Sequence, residues 1–405
     1  MGITLFEKKS DCCACEACRN ICPQSAITMK EDEWGFLYPK IIQQKCIECG
    51  ACRKACVYQH SMPENKPIQA FAGVNKNKNQ LLNSASGGVF SAIAAQVLSR
   101  GGIVFGATLV FEDGHATPRH IAIDSMEQLP LLQGSKYVQS AIGYSYQQAK
   151  SFLKDGKKVL FSGTPCQIGG LYGYLGKDYE KLITIDVICH GVPNAKLFDE
   201  YLQCEKSKRN AMAVYGYSFR DKKNGWGMNG RIDLEFSDKK IKSFYIPARL
   251  ASYNTLFLDG VTYRENCYSC KYAGKMRSSD LTIGDYWGIE VEHPEFLKKK
   301  EYAERCGISC ILVNTVKGLK ACEDQKNLYR DYSTFEKVSH RNGQLRQPSI
   351  KHASREQVFS IYSERGYAAV EQWYYRRYRK QIIIHAVYNA IPRGLRVKLK
   401  SLLKY

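Results

Sequence analysis

The chain has 405 residues, and 44% of them are hydrophobic, which provides for a sizeable core and excludes global disorder. Its length allows two or three domains. Seventeen cysteines without a secretion signal favour the cytoplasm, where cysteines serve as metal ligands or free thiols rather than disulfides. No apolar run approaches the roughly 20 residues of a transmembrane helix. The formal charge of +20 suits an anionic partner, but it does not choose among nucleic acid, lipid and acidic protein.

Two runs of four cysteines lie within the first 60 residues. They share the spacing C-x2-C-x2-C-x3-C and consist of Cys12, Cys15, Cys18 and Cys22, and of Cys46, Cys49, Cys52 and Cys56. This spacing is typical of two-cluster ferredoxins, in which the fourth cysteine of each run binds the other 4Fe–4S cluster. We therefore predict one cluster on Cys12, Cys15, Cys18 and Cys56, and a second on Cys46, Cys49, Cys52 and Cys22. Zinc ribbons need only paired C-x2-C knuckles and disulfide scaffolds are short and secreted, so the duplicated run fits neither. Cys13, between two ligands, is expected to bind no metal.

The remaining elements indicate an α/β (α+β) core with a mixed sheet. A short hairpin is predicted at residues 27–29 and 36–38, and residues 61–67 are a polar linker with two prolines. Strands are predicted at 103–110, 159–161 and 183–188, and helices at 87–99, 144–154 and 195–204. The predicted division is a ferredoxin domain at 1–60, the linker at 61–67, two parts of the core at 68–160 and 161–335, and a basic, mainly helical tail at 336–405.

Four further cysteines suggest a third metal site in the core. Cys166 and Cys189 each follow a predicted strand, and ligand sites in α/β sheets gather at strand carboxyl ends. Cys267 and Cys270 would complete a set of four thiolates. The alternative is that they are buried free thiols, which are common as small hydrophobic residues. Cys204, Cys306, Cys310 and Cys322 are expected to be core or surface thiols.

Small residues at positions 84–91 open an apolar helix. A helix start of this kind can bind phosphate through its free N–H groups, or it can be an ordinary serine N-cap. The spacing is neither a Walker A loop nor a Rossmann fingerprint, so the sequence leaves both interpretations open.

Seven segments of the core resemble one known family. They are Ser86-Gly87-Gly88, residues 134–140, residues 163–167, residues 189–193, residues 219–222, residues 267–270 and residues 284–288. Over roughly residues 68–320 the chain resembles the beta subunit of coenzyme F420-reducing hydrogenase and dehydrogenase. That family includes 7-hydroxymethyl chlorophyll reductase, cyanobacterial-type divinyl reductase and bacterial proteins associated with polysaccharide biosynthesis.

The resemblance implies a flavoprotein with FAD and a third 4Fe–4S cluster, the latter on Cys166, Cys189, Cys267 and Cys270. It implies that the flavin is held by residues of the matching segments and the helix start, namely Ser84, Ser86, Gly87, Gly88, Gly134, Ser135, Lys136, Gly163 and Thr164. The chain departs from the hydrogenase protein in having its own ferredoxin run and a long basic tail. The resemblance therefore does not assign F420 as the substrate.

These parts predict an oxidoreductase that passes electrons from a ferredoxin-like donor through the clusters to FAD and on to an organic or glycan-related substrate. The candidate proton donors are His190, Lys136, Asp221 and Asp285, although each also has an ordinary structural interpretation. The alternative is a non-catalytic electron-transfer adaptor that feeds a partner enzyme. Nucleic-acid binding is not expected, because the basic tail has no recognised binding fold.

The tail has a second predicted role. After Glu371 no acidic residue occurs, and aliphatic residues alternate with lysines and arginines. Basic amphipathic helices with aromatic and aliphatic faces lie on anionic membrane surfaces. Trp373 and the nearby tyrosines, including Tyr374, would then lie at the lipid headgroups. We therefore predict peripheral, salt-sensitive membrane contact through residues 372–405, with Pro392 and Gly394 ending the helix. The alternative is a helix docked on the core with its basic face in solvent.

Overall fold

The computed structural model describes residues 3–60, 63–223, 225–299 and 306–391. The first 60 residues contain two short helices and a hairpin, which are α1 (Ala17–Ile21), β1 (Ile27–Glu31), β2 (Leu37–Ile41) and α2 (Ala51–Lys54). The two strands pair antiparallel with Ile27 opposite Ile41, as predicted. Gly35 takes a φ of 83° in the connecting turn, a conformation that suits glycine.

Eleven further strands build two sheets within the described residues. They are β3 (Gln69–Asn75), β4 (Ile103–Glu112), β5 (His115–Ile123), β6 (Val159–Gly163), β7 (Leu182–Val187), β8 (Ala213–Ser218), β9 (Gly230–Glu235), β10 (Ile241–Ile246), β11 (Leu281–Asp285), β12 (Ser309–Val313) and β13 (Leu328–Ser333). The large sheet has the order β13-β3-β12-β11-β7-β6-β4-β5, and β10-β9-β8 form a small antiparallel sheet. The strands β11, β7, β6 and β4 run parallel in the centre, while the pairs on both sides are antiparallel.

Twelve helices follow in chain order within the described residues. They are α3 (Lys78–Asn83), α4 (Val89–Ser99), α5 (Leu129–Leu132), α6 (Ser145–Lys154), α7 (Pro165–Leu175), α8 (Ala195–Ser207), α9 (Ser252–Leu258), α10 (Ile289–Glu292), α11 (Val316–Glu323), α12 (Phe335–His340), α13 (Arg355–Arg377) and α14 (Arg379–Ala390). The predicted α/β core with a mixed sheet and a helical C-terminal tail is confirmed. The three predicted strands correspond to β4, β6 and β7, and the three predicted helices to α4, α6 and α8.

The N-terminal segment packs into the core. Phe36 and Tyr38 of the hairpin belong to a buried cluster that also contains Phe198 of α8 and Val358 of α13. A second buried cluster joins Cys13, Cys15 and Ala17 to α6, α7 and the strands behind them. The first cysteine run is therefore held by the hydrophobic core, and the domain boundaries at residues 60 and 67 stay predictions.

The tail begins as a docked helix and continues as an exposed one. Helix α13, which kinks at Gly366, buries Phe359, Tyr367 and Tyr374 against the core. The predicted headgroup role of the aromatic residues does not suit Tyr374, because its hydroxyl donates to the carbonyl of Arg249 at 2.9 Å. Helix α14 buries no residue, and its Ile384 is 65% exposed. The predicted helix break at Pro392 and Gly394 lies outside the described residues.

None of the helices in the described part of the chain is long and apolar enough to span a bilayer.

Candidate functional site

The two N-terminal cysteine runs form loops with the same backbone geometry. Ala14 and Glu16 of the first run have φ values of 52° and 59°, and Glu48 and Gly50 occupy the same positions of the second run with 53° and 72°. Positive φ is uncommon for residues other than glycine. The duplicated spacing thus folds twice into the same tight loop, and such local strain is typical of ligand-binding segments.

Each loop lines a small cavity with sulfur atoms. One cavity is lined by Cys12, Cys13, Cys15, Cys18 and Cys56, and the other by Cys22, Cys46, Cys49 and Cys52. The structure therefore brings the fourth cysteine of each run to the other run, which is the crossed arrangement that the sequence predicts. Among the described residues, no three Cys, His, Asp or Glu side chains are grouped as ligands of a single metal ion.

Backbone N–H groups point at the sulfur atoms of these cavities. Burial raises the pKa of Cys12 and Cys18, while N–H groups of Ala14 and Arg19 hydrogen-bond those sulfurs and act in the opposite direction. The amide of Ala26 donates to Cys22 Sγ at 3.3 Å. Four or more thiols around one cavity, with N–H groups donating to sulfur, fit iron–sulfur clusters, whose ligands are thiolates stabilised by such bonds.

The predicted third set of cysteines also converges. Cys166 lies in the first turn of α7 after β6, and Cys189 follows β7. Cys267 lies within a short 3-10 helix, Glu265–Ser269, and Cys270 directly follows it. Burial raises the pKa of Cys189, and the nearby thiols of Cys267, Cys166 and Cys270 add to that effect. The backbone holds the two loops together, because the amide of Arg264 donates to the carbonyl of Val192 at 2.9 Å.

A chain of thiols joins the third set to the first run. Cys13, which is 3% exposed, hydrogen-bonds to the Cys15 thiol, and it also interacts with Cys166. The side chain expected to be a bystander therefore lies between a ligand of the predicted first cluster and a ligand of the predicted third. A further contact joins the same two regions, because Asn266, which precedes Cys267, donates from Nδ2 to the hydroxyl of Tyr58, two residues after Cys56, at 3.0 Å.

Polar contacts lock this junction. Glu16 Oε1 accepts from the amide of Ile142 at 2.8 Å, and Gln139 Nε2 donates to the carbonyl of Cys13 at 2.9 Å. Gly170 of α7 gives Cys15 its space, because a Cβ there would lie 2.9 Å from Cys15 Sγ.

A cavity of about 300 Å³ opens at the carboxyl ends of β6, β7 and β11, where ligands of α/β sheets bind. It is lined by most of the site residues predicted in the core, namely Ser84, Ser86, Gly88, Gly134, Ser135, Lys136, Gly163, Thr164, Cys166, Cys189, His190 and Asp285. The other four, Gly87, Asp221, Cys267 and Cys270, do not belong to this lining among the described residues. The Asp221 carboxylate accepts instead from Arg231 at 2.9 Å and from the amide of Lys223 at 2.8 Å.

The two glycines before α4 have a packing role. A Cβ on Gly87 would lie 2.2 Å from the carbonyl oxygen of Gly73, so only glycine allows this approach to β3. Gly88 has a φ of 74° and caps the helix in the left-handed region. Ser84 hydrogen-bonds Ser91 at 2.8 Å across the turn. The ordinary capping interpretation thus explains the glycines, although Gly88 and both serines still line the cavity.

A buried ion pair closes one side of the cavity, and the sequence does not predict it. Arg220 Nη1 donates to Asp285 Oδ2 at 2.5 Å, and Trp226 Nε1 donates to Asp285 Oδ1 at 3.2 Å. The Nη2 group of Arg220 is buried and has no hydrogen-bond partner among the residues that the structure describes. A ligand acceptor in the cavity would satisfy it. The sequence predicts the neighbouring Asp221 as a candidate proton donor and does not predict Arg220. The sequence alone does not show which of these two adjacent residues faces the cavity.

Two further groups in the wall have shifted pKa values. Burial lowers the pKa of Lys136 to about 7, and its Nζ donates to the carbonyl of Gln133 at 2.7 Å. Burial also lowers the pKa of His120 to about 4, so this imidazole is neutral near pH 7. His120 is not predicted by any motif. It is fixed by Ser140 Oγ at 3.0 Å and by the carbonyl of Ser162 at 3.0 Å. His190, by contrast, is exposed at the edge of the cavity.

Comparison with known proteins shows what the core is similar to. Residues 156–337 match the family model of the C terminus of the coenzyme F420 hydrogenase/dehydrogenase beta subunit. One subunit of the F(420)H(2) dehydrogenase of Methanosarcina mazei is 24% identical over 165 residues, covering 38% of this chain and 46% of the relative. An uncharacterized protein of Methanocaldococcus jannaschii is 26% identical over 197 residues, covering 42% of this chain and 54% of the relative. This chain thus spans about half the length of the curated relatives it matches.

Among solved structures, a chain of the xenon-derivatized F420-reducing [NiFe] hydrogenase complex from Methanosarcina barkeri is similar to this one. It has 12% identity and a TM-score of 0.40, covering 77% of this chain and 93% of that chain. The predicted family resemblance is confirmed by the family model.

Proposed function

We propose that this chain is an iron–sulfur flavoprotein oxidoreductase, because residues 156–337 match the family model of the C terminus of the coenzyme F420 hydrogenase/dehydrogenase beta subunit. Its electrons would come from a ferredoxin-like donor, and its substrate would be a small organic or glycan-related molecule. When bound, clusters supply one-electron transfer, and FAD supplies the exchange between one-electron and two-electron chemistry. The observation that supports this proposal is the position of the third cysteine set, which touches both the first run and the main cavity.

The second cysteine set is the most accessible to a donor. Cys49 is exposed, and the neighbouring Ile47 is 60% exposed. Cys15 and Cys13 of the first run are buried. This gradient of exposure supports entry of electrons at the second set and passage inward through the first. One relative is named as one subunit of a dehydrogenase, which supports a protein partner here.

The cavity residues have distinct proposed tasks. The starts of α4 and α7, through Gly88 and Thr164, would hold the phosphate end of the flavin by their N–H groups. The free Nη2 of Arg220 would bind an acceptor on the ring system or the substrate. Lys136 would hold and release a proton, because a pKa of about 7 is suited to both tasks near neutral pH.

The cavity also distinguishes the enzyme from a non-catalytic adaptor. An adaptor needs cluster sites and a docking surface, but it needs no cavity of about 300 Å³ lined by Lys136, His120 and the Arg220–Asp285 pair. An enzyme needs such a space for its ligand. The adaptor remains the second candidate, supported by the exposed second cysteine set.

Flavin content tests this choice. The full-length protein is purified without oxygen, and acid extraction should release about one flavin per chain, as expected for one flavin cavity. Ala85 lines the cavity, so Ala85→Trp should abolish flavin binding by filling the space. Met212→Trp is the matched control, because Met212 is 65% exposed and lies outside the lining. Wild-type protein that contains iron but no flavin would contradict the enzyme proposal and support the electron-transfer adaptor.

A further inference from the structure

Four arginine side chains are buried within the described residues, and three of them are paired with carboxylates. Arg220 pairs with Asp285 at 2.5 Å, Arg277 with Asp186 at 2.8 Å and Arg355 with Glu265 at 3.1 Å. The fourth, Arg264, is 0% exposed and has no carboxylate partner in the described part of the chain. A buried charge is costly unless an opposite charge compensates it, so the surroundings of Arg264 should supply negative charge.

The guanidinium of Arg264 is held at one end only. Its Nε donates to the carbonyl of Cys12 at 2.9 Å, and its plane lies 4.0 Å from the ring of Tyr38. Both terminal nitrogens, Nη1 and Nη2, are buried without a hydrogen-bond partner among the described residues. A rigid fork with two free nitrogens is thus fixed at the junction of the first cysteine run and the third set.

Backbone contacts place Arg264 beside the third set as well as the first run. Its carbonyl accepts from the amide of Cys267 at 3.0 Å, and its amide donates to the carbonyl of Val192, three residues after Cys189, at 2.9 Å. One buried cation therefore lies between the two sets of thiols.

We propose that Arg264 is a shared cationic hydrogen-bond donor to two iron–sulfur clusters, one on Cys12, Cys15, Cys18 and Cys56 and the other on Cys166, Cys189, Cys267 and Cys270. A cubane held by four thiolates is anionic, and one-electron reduction adds a further negative charge without making or breaking a bond. Hydrogen bonds to the sulfurs and nearby charge set the potentials of such clusters. Arg264 therefore raises the reduction potential of both clusters and keeps them matched for transfer across the junction. This inference rests on the proposed function, because it needs both clusters to be bound.

Potentiometric titration followed by electron paramagnetic resonance tests the proposal. Full-length wild type, Arg264→Met and Arg264→Lys are reduced stepwise with dithionite in the absence of oxygen. In Arg264→Met the oxidised-to-reduced ratio at a fixed potential should rise at least tenfold for both clusters, which corresponds to about 59 mV for a one-electron couple. Lysine keeps the charge but loses the planar fork, so Arg264→Lys should shift less.

Arg355→Met is the matched control, because Arg355 is 1% exposed but pairs with Glu265. It should leave both potentials unchanged. Arg264→Met that retains wild-type iron with unchanged potentials would overturn the proposal. If Arg264→Met retains no iron, the cluster potentials of Arg264→Lys and Arg264→Gln are compared instead. Equal potentials in these two variants would count against the proposal. Loss of iron from every Arg264 variant would also count against it. Wild-type protein without iron would instead refute the proposed function.

Discussion

Gly170 of α7 packs directly against the first cysteine run. A Cβ there would lie 2.8 Å from Cys15 Cβ, 2.9 Å from Cys15 Sγ and 2.8 Å from the Tyr146 hydroxyl. Gly170 lies within the helix, so a larger residue meets no backbone obstacle. The effect of a substitution therefore reports the contact between α7 and the first cysteine run.

The cost of Gly170→Val can be worked out from these contacts. Overpacking costs about 1–3 kcal/mol, and three heavy-atom contacts below 3.0 Å place valine near the upper end. Valine has a better helix propensity than glycine, which offsets only a few tenths of a kcal/mol of this loss. We expect a net loss of about 2–3 kcal/mol, and a smaller loss for Gly170→Ala. The displaced Cys15 should also weaken binding of the first cluster.

Anaerobic thermal unfolding and iron analysis measure both effects. Gly170→Val should unfold a few degrees below wild type and lose about four of the iron atoms, as expected for one cubane. Gly343→Val is the matched control, because a Cβ on Gly343 has no neighbour within 4 Å. If Gly170→Val has the same unfolding temperature as the control and keeps its iron, Cys15 does not pack against α7 at Gly170.

Three further predictions concern the cavity and the tail. Asp285→Asn leaves Arg220 buried without its partner and should cost about 3–5 kcal/mol in thermal unfolding, whereas Asp221→Asn, whose partner Arg231 is 41% exposed, should cost about 1 kcal/mol or less. Burial lowers the pKa of Lys136 to about 7, so the unfolded chain binds more protons above that pH, and stability should rise from pH 7 upwards. Lys136→Met should flatten this slope, and an unchanged slope would exclude Lys136 as its cause. A chain ending at Tyr378 keeps the docked helix but lacks α14, so it should bind anionic liposomes less than the full chain at low salt, and equal binding would refute the membrane role.

The cysteine spacing predicted which cysteines the structure brings together in the N-terminal segment, and their role as metal ligands stays a prediction. Because the loop geometry of each run is local, a short pattern of residues is enough to specify it, and the structure repeats it at Ala14 and Glu48. The crossing of Cys22 and Cys56 between runs followed from the same pattern. The docking of the first run on α7 did not, since it depends on Gly170, which lies more than a hundred residues away in the chain.

The cavity shows where sequence reasoning ends. The motif segments led to Lys136, Gly163 and Asp285, and all three line the cavity. Arg220 was missed because its pairing with Asp285 exists only after two distant segments fold together. His120 was missed because it has no motif and is recognised only by its place beside β6.

The same limit applies to the weakest predictions. Gly87 and Gly88 suit a phosphate loop, and contact with β3 and a left-handed cap also account for them, so phosphate binding stays a prediction. The strands β8, β9 and β10 were not predicted, although β9 and β10 form a simple antiparallel pair. Tyr374 was predicted to lie at the lipid headgroups but is buried in the core, where its hydroxyl donates to Arg249, more than a hundred residues away in the chain.

The central claim is that three sets of four cysteines hold clusters in one connected path. The most direct measurement is iron and acid-labile sulfide in anaerobically purified full-length protein, compared with a Cys166→Ala, Cys189→Ala double variant. We predict about twelve iron atoms in the wild type and about eight in the double variant, as three and two cubanes require. Cys204→Ala, Cys322→Ala is the control pair and should keep the wild-type count. Equal iron in wild type and the Cys166 variant, or bound zinc in place of iron, would contradict the account.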